Sequence, residues 1–265
     1  MTNIGFIGGG KMAEAIIKGL LDSGCVAAAD VHVAEIRRER RQQLAAACRV
    51  GVYADNSEVA GLHPDVLVLA VKPQDLANAV NGLVVHGRSL VISIAAGLTL
   101  ATLEKAFPQN AVIRAMPNNP ALVKAGVTAL APGRKVKPDQ LELAKKIFGS
   151  VGGVVTVDEK LMDAVTGLSG SGPAYVYLMI EGLTRAGVKL GLENKTAEHL
   201  AVETVFGAAK TLKESGRGAR ELREMVTSPG GTTIEGLKVL EKKGFIPALL
   251  DAVKAAAEKS KKLSQ

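Results

Sequence analysis

Three consecutive glycines, Gly8-Gly9-Gly10, follow a short apolar run and precede a helix-period stretch. Ile4–Ile7 is apolar throughout and stops at glycine, the pattern of a strand buried on both faces. Residues 11–23 then place Met12, Ile16, Ile17, Leu20 and Leu21 at helical spacing, and Gly24 ends the run. Within the turn, Gly8-x-Gly10-x-x-Ala13 has a physical reason at each position. The first glycine permits the tight turn, the second lets backbone approach a pyrophosphate, and the small third residue lets helix pack on strand. The helix start offers unpaired N–H groups and the positive end of its dipole to phosphate. Alone, such a pattern is weak. Between a strand and a helix, with a second strand following at Val31–Ala34, it reads as a dinucleotide site rather than a plain turn.

The same alternation continues. Residues 36–48 and 139–148 read as helices, and apolar runs at 66–71, 90–94, 111–113, 127–130 and 153–157 read as strands. Continuous apolar strands separated by helices imply a sheet covered on both faces. The expectation is a doubly wound, mostly parallel α/β Rossmann domain over residues 1–160. After about Leu161 strand signals vanish. Stretches 173–190, 196–215, 219–225, 233–241 and 247–263 read as helices punctuated by glycine, giving an all-α domain over 161–265. The stretch 173–190 has few charges. Either a partner subunit covers it or it is a central core helix of one chain.

Composition narrows the partners. The chain of 265 residues carries a net charge of +7, but it lacks Trp and has only 3% aromatics, so platforms for stacking bases are scarce. Its basic residues suit solvated helix faces and attraction of small anions, and no nucleic-acid partner is expected. Cys25 and Cys48 fall in no metal or redox spacing, as expected in a reducing compartment. Neither a signal peptide nor a membrane span is evident, so a cytoplasmic location is the default expectation. No metal is expected.

Further candidates lie where parallel strands end. Glu35 follows the second strand, where an acid can hold the ribose hydroxyls of NAD, while Arg37 and Arg38 can grip the 2′-phosphate of NADP. Lys72-Pro73 and Ala95-Ala96-Gly97 follow later strands at the same sheet edge. Thr166-Gly167-Leu168-Ser169-Gly170-Ser171-Gly172-Pro173 opens the long apolar helix with more glycine and hydroxyl than a helix start needs. Thr227-Ser228-Pro229-Gly230-Gly231-Thr232-Thr233 precedes another helix and offers converging N–H groups to a carboxylate. No nucleophile–base pair is present, and a hydride-transferring enzyme needs none.

Together the stretches GFIGGGKM from Gly5, AVKPQ from Ala70, ISIAAG from Ile92, RAMPNNP from Arg114, TGLSGSGPAY from Thr166 and VTSPGGTTIEGL from Val226 resemble the pyrroline-5-carboxylate reductase family. The resemblance spans essentially the whole chain, and its last stretch is the most specific. It implies reduction of 1-pyrroline-5-carboxylate to L-proline, the last step of proline biosynthesis, by NADP(H), with NAD(H) as a second cofactor. It also implies a Rossmann domain followed by a helical dimerisation domain, in a homodimer or a higher homo-oligomer up to a decamer. Carried over by position, the cofactor residues are Ile7, Gly8, Gly9, Gly10, Lys11 and Met12, then Asn56, then Ala70, Val71, Lys72 and Pro73, then Ala95 and Ala96. The substrate residues are Ser171, Gly230, Gly231, Thr232 and Thr233. Glu35 departs from the family, which often has Ser, Arg or Asn types there; Arg37 and Arg38 offset it toward NADP.

The resemblance admits a mechanism in which the Thr233 hydroxyl holds the ring nitrogen and backbone N–H groups of residues 231–233 hold the carboxylate. Two rivals stand beside it. Hydroxyacid and 6-phosphogluconate dehydrogenases share this domain plan but usually need a lysine after their serine–glycine motif, and residues 174–180 contain none. A dinucleotide-sensing protein without activity would not need both Thr232 and Thr233.

Overall fold

A computed structural model describes residues 2–263, with backbone alone at Pro73. It forms two compact units, one running to Ser171 and resuming at Lys254, the other Gly172–Val253. The first unit begins β1 (Ile4–Ile7), α1 (Lys11–Asp22), β2 (Val31–Ala34), α2 (Arg38–Cys48), β3 (Gly51–Tyr53), α3 (Asn56–Gly61) and β4 (Val66–Leu69). It continues through α4 (Leu76–Val80), β5 (Leu90–Ser93), α5 (Leu100–Ala106), β6 (Ala111–Met116), β7 (Gly126–Pro132), α6 (Pro138–Gly149), β8 (Gly152–Thr156) and α7 (Met162–Val165).

These strands make one eight-stranded sheet in the order β3-β2-β1-β4-β5-β6-β7-β8. Central β1 runs parallel to both neighbours, with Ile4 level with Val31 on one side and Val66 on the other. Every residue of β1, β4 and β5 is buried, as strands with helices over both faces must be. From α1, Ile16, Ile17 and Leu20 reach zero exposure, each burial stabilising by about 1.5–3 kcal/mol.

Two features depart from the sequence pattern. β7 is antiparallel to β6. The linking residues 117–125 fall short of the roughly dozen residues a parallel crossover needs, so the chain turns straight back. Short β3, α3, α4 and α5 were not anticipated. β3 is an edge strand of three half-buried residues, too brief for a period to register. α5 did carry a local sign: Thr99 Oγ1 accepts from Thr102 N–H at 3.1 Å, an N-cap.

The sequence boundary at 160/161 marks the last switch from strand to helix. In the structure α7 still packs on the sheet, Met162 being fully buried against Ala129 and Ala131. Residues from Lys254 join the same unit: Ser260 Oγ donates to Asp163 Oδ1 at 2.7 Å, and Asp163 and Glu159 flank the buried guanidinium of Arg114 at 3.9 and 3.7 Å.

The second unit holds α8 (Gly172–Lys189), α9 (Asn194–Ser215), α10 (Ala219–Met225), α11 (Thr232–Lys242) and the start of α12 (Phe245–Leu263). α8 meets α9 where Gly187 gives Ala197 room, a Cβ there lying 3.0 Å from the alanine methyl. No residue of α8 is buried, and Leu178 is 69% exposed. The reading of α8 as a central core helix therefore fails for the single chain. Its apolar face stays open, as a helix covered by a second subunit would be. Among the described residues no helix is long and apolar enough to cross a membrane.

Candidate functional site

A cleft of about 590 Å³ opens at the carboxyl edge of the sheet, between the ends of β1 and β4 where the strand order reverses. Doubly wound sheets bind ligands at this switch point. Gly8 adopts φ +97°, and a Cβ there would lie 2.8 Å from the Ala70 carbonyl oxygen, so both conformation and space require glycine. Its N–H donates to Ala34 O at 2.8 Å, tying the loop to the end of β2. Gly9 faces away from the cleft. A Cβ on it would meet Leu44 Cδ1 at 2.5 Å, so this glycine serves packing against α2. Gly10 differs again. Its φ of −66° and ψ of −179° suit any residue, yet a Cβ there would meet nothing within 4 Å beyond its own chain neighbours. It is the N-cap of α1 without a side-chain cap, so the first-turn N–H groups, those of Lys11 and Met12 among them, stay free for an anion.

Glu35 and Arg37 also line the cleft. The Glu35 side chain is 7% exposed. Its Oε2 accepts from Gly9 N–H at 3.2 Å, and its Oε1 accepts from Arg37 N–H at 3.0 Å and from Arg37 Nε at 3.1 Å. Burial works against its charge, but hydrogen bonds from the Arg37 side chain and from the Arg37 and Gly9 amides hold the carboxyl below its usual value. Helix α2 starts at Arg38, so Glu35 lies ahead of the helix rather than in a solvated first turn.

Asn56, Ala70, Val71 and Lys72 line the cleft too. Asn56 Nδ2 donates to Ala79 O at 3.0 Å and joins α3 to α4. The Pro73 backbone opens the 3-10 turn Pro73–Asp75. Ile7 is buried within β1, and Ala95 is buried with its N–H on Ser93 Oγ at 3.3 Å; neither these two nor Ala96 lines this cleft. Ile36, Asp75, Asn78 and Ala79 do, and the sequence reading did not name them. Their signal was positional, since segments following parallel strands rim the ligand edge.

The other clusters take different forms. Thr166–Gly170 is a single π-helical turn, a form frequent at functional sites. Its hydroxyls turn inward, Thr166 Oγ1 donating to Met162 O at 2.8 Å and Ser169 Oγ to Val165 O at 3.0 Å. A Cβ on Gly170 would lie 2.8 Å from Met116 Cε, so part of this composition serves the turn itself. Ser171 closes it, its N–H donating to Thr166 O at 2.9 Å. In the second unit Gly230 turns the chain at φ +72°, and Gly231 is the N-cap of α11 with no side chain capping it. Thr232 and Thr233 occupy the exposed first turn. Among the described residues no group of three or more His, Cys, Asp or Glu converges as a metal site.

A glycine-cradled cleft at the switch point of such a sheet, followed by a helical unit, defines a nicotinamide-dinucleotide oxidoreductase. The family model for NADP oxidoreductase, coenzyme F420-dependent, matches residues 3–97, and that for pyrroline-5-carboxylate reductase dimerisation matches residues 159–263. A pyrroline-5-carboxylate reductase of Synechocystis sp. is 50% identical, over 99% of this chain and 98% of that protein. One from Arabidopsis thaliana is 40% identical, over 99% and 95%. A solved pyrroline-5-carboxylate reductase of Coxiella burnetii superposes with TM-score 0.92 at 39% identity, over 100% and 99% of the two chains. The Plasmodium falciparum enzyme, solved with NADP bound, gives 0.89 at 33%, over 100% and 98%. The chain belongs to the pyrroline-5-carboxylate reductase family.

Proposed function

We propose that this protein reduces 1-pyrroline-5-carboxylate to L-proline with NADP(H), and with NAD(H) as a second cofactor. The end-to-end likeness to a pyrroline-5-carboxylate reductase at 50% identity carries this reading. The cleft supports it, since the space beside Gly10 and the uncapped start of α1 suit a pyrophosphate. The cofactor, when bound, supplies the hydride that the imine carbon takes up. Gly8, Gly10 and the first-turn amides of Lys11 and Met12 hold its phosphates. Glu35 and Arg37 meet its ribose, and Asn56, Ala70, Val71, Lys72 and Pro73 belong to the same cofactor site; Ile7, Gly9, Ala95 and Ala96 support the binding loops. Ser171, Gly230, Gly231 and Thr232 belong to the substrate site. Amides at the start of α11 hold the carboxylate, and the Thr233 hydroxyl holds the ring nitrogen. Residues 1–160 bind the cofactor, and 161–265 serve dimerisation and substrate binding. A homodimer, or a larger homo-oligomer up to a decamer, covers the open face of α8.

The test is NADPH oxidation measured separately with 1-pyrroline-5-carboxylate and with hydroxyacids. Turnover of the imine alone is expected, and turnover of hydroxyacids alone would remove the proposal. Cofactor choice is tested at Glu35. Its carboxylate repels a 2′-phosphate and occupies Arg37. Glu35→Gln is expected to raise the NADPH-over-NADH ratio of kcat/KM about tenfold, near 1.4 kcal/mol. An unchanged ratio would place Glu35 away from the ribose.

A further inference from the structure

We infer that Arg40, outside the cleft, is a positioning residue for cofactor binding, aligning the glycine loop by holding its carbonyls. The inference rests on the reading of the cleft as a dinucleotide site. The Arg40 side chain comes from the first turn of α2 and is 11% exposed. Its Nε donates to Gly9 O at 2.6 Å, and its Nη2 to Gly10 O at 3.4 Å and to Glu14 Oε2 at 2.7 Å. Nη1 donates to Gln43 Oε1 at 3.3 Å. One planar fork thus grips two successive peptides of the loop and the first turn of α1 together.

Peptide geometry gives this grip its consequence. In a trans peptide the C=O and the following N–H point in opposite directions. Holding Gly9 O turns the Gly10 N–H away from Arg40, and holding Gly10 O does the same for the Lys11 N–H. Those amides are the donors a pyrophosphate needs at the start of α1. Gly9 and Gly10 have no side chains to brace them, so the loop depends on external ties for a fixed shape. Glu35 supplies one through the Gly9 N–H, and Arg40 supplies the carbonyl ties. Glu14 in turn fixes the guanidinium. Its carboxyl is lowered to about 2 by hydrogen bonds from Lys18 and then Arg40, so it stays charged throughout the working pH range. Arg40 adds position more than charge, because Glu14 neutralises it at 2.7 Å.

NADPH titrations followed by cofactor fluorescence, on wild type, Arg40→Met and Arg40→Lys, test the inference. Wild type is expected to bind, and Arg40→Met to bind at least about tenfold more weakly, the scale of hydrogen bonds from a charged donor. At saturating NADPH its kcat is expected within about twofold of wild type, because the reacting atoms are untouched. Arg40→Lys is expected to behave like Arg40→Met, since an ammonium keeps the charge but cannot span both carbonyls. Wild-type affinity in Arg40→Met alongside a lowered Tm would reduce Arg40 to a tie between helices. Wild-type affinity in Arg40→Lys would assign the effect to charge, and also overturns the inference should the methionine variant not fold. A wild-type protein that does not bind NADPH would overturn the reading of the cleft itself.

Discussion

Gly10→Val is expected to weaken NADPH binding by at least about a hundredfold, roughly 2.7 kcal/mol, while leaving the protein folded. The backbone at Gly10 is in a region open to valine, and beyond its own chain neighbours nothing lies within 4 Å of a Cβ built there. Folding loses only the difference between glycine and an apolar N-cap, about 1 kcal/mol, which lowers Tm by about 2–4 °C in a domain of this size. The methyls instead enter the open space that the proposal gives to the pyrophosphate at the start of α1. Gly8→Ala is the contrasting control. Its Cβ meets the Ala70 carbonyl at 2.8 Å and its φ is +97°, so it strains the fold itself. Calorimetry for Tm and fluorescence titration for affinity separate the two. Equal affinity in Gly10→Val and wild type would move the pyrophosphate off this loop.

The contrast between these glycines shows how much of the site was legible beforehand. The pattern assigned the tight turn to Gly8 and the close backbone approach to Gly10, and Gly8, at φ +97°, does make that turn. Gly9, open in the glycine pattern and a cofactor residue only by the resemblance, is set by contact with Leu44, a residue 35 positions later that no local pattern relates to it. Glu35 and Arg37 were placed correctly at the end of β2. Their mutual pairing, and the inward turn of the carboxylate toward the Gly9 amide, come from tertiary packing. In the sequence Arg40 is one more basic residue of a charged helical stretch, and only the fold brings its guanidinium to the loop carbonyls. Strand identity fared better, because β1, β4 and β5 are uninterrupted apolar runs ending at small or polar residues, and β2 is broken only by His32. The direction of β7 was not legible, since an apolar strand looks the same whichever way it runs, and linker length settles it.

Helix α11 puts the substrate half of the proposal at stake. Thr233→Val is expected to lower kcat by about 10²–10³-fold, the cost of removing one well-placed donor at a developing charge. The change is nearly isosteric, and Thr233 lies in the exposed first turn of α11, so folding should be little affected. As hydride reaches the imine carbon, the C=N bond gives its electron pair to nitrogen, and that nitrogen takes up a proton. A hydroxyl donating to the nitrogen strengthens its hydrogen bond as that charge grows, so it stabilises the transition state more than the bound substrate. In the proposed site the carboxylate is held differently. Backbone amides at the start of α11, where Gly231 provides no side-chain cap, survive the substitution, so KM should change far less than kcat. NADPH affinity should stay at the wild-type value, because the glycine cleft belongs to the other unit. Thr233→Ser restores the hydroxyl and is expected to recover most of the rate. Steady-state kinetics of the two variants decide the role: a valine variant with wild-type kcat, or a serine variant as slow as the valine, would take the ring nitrogen away from Thr233.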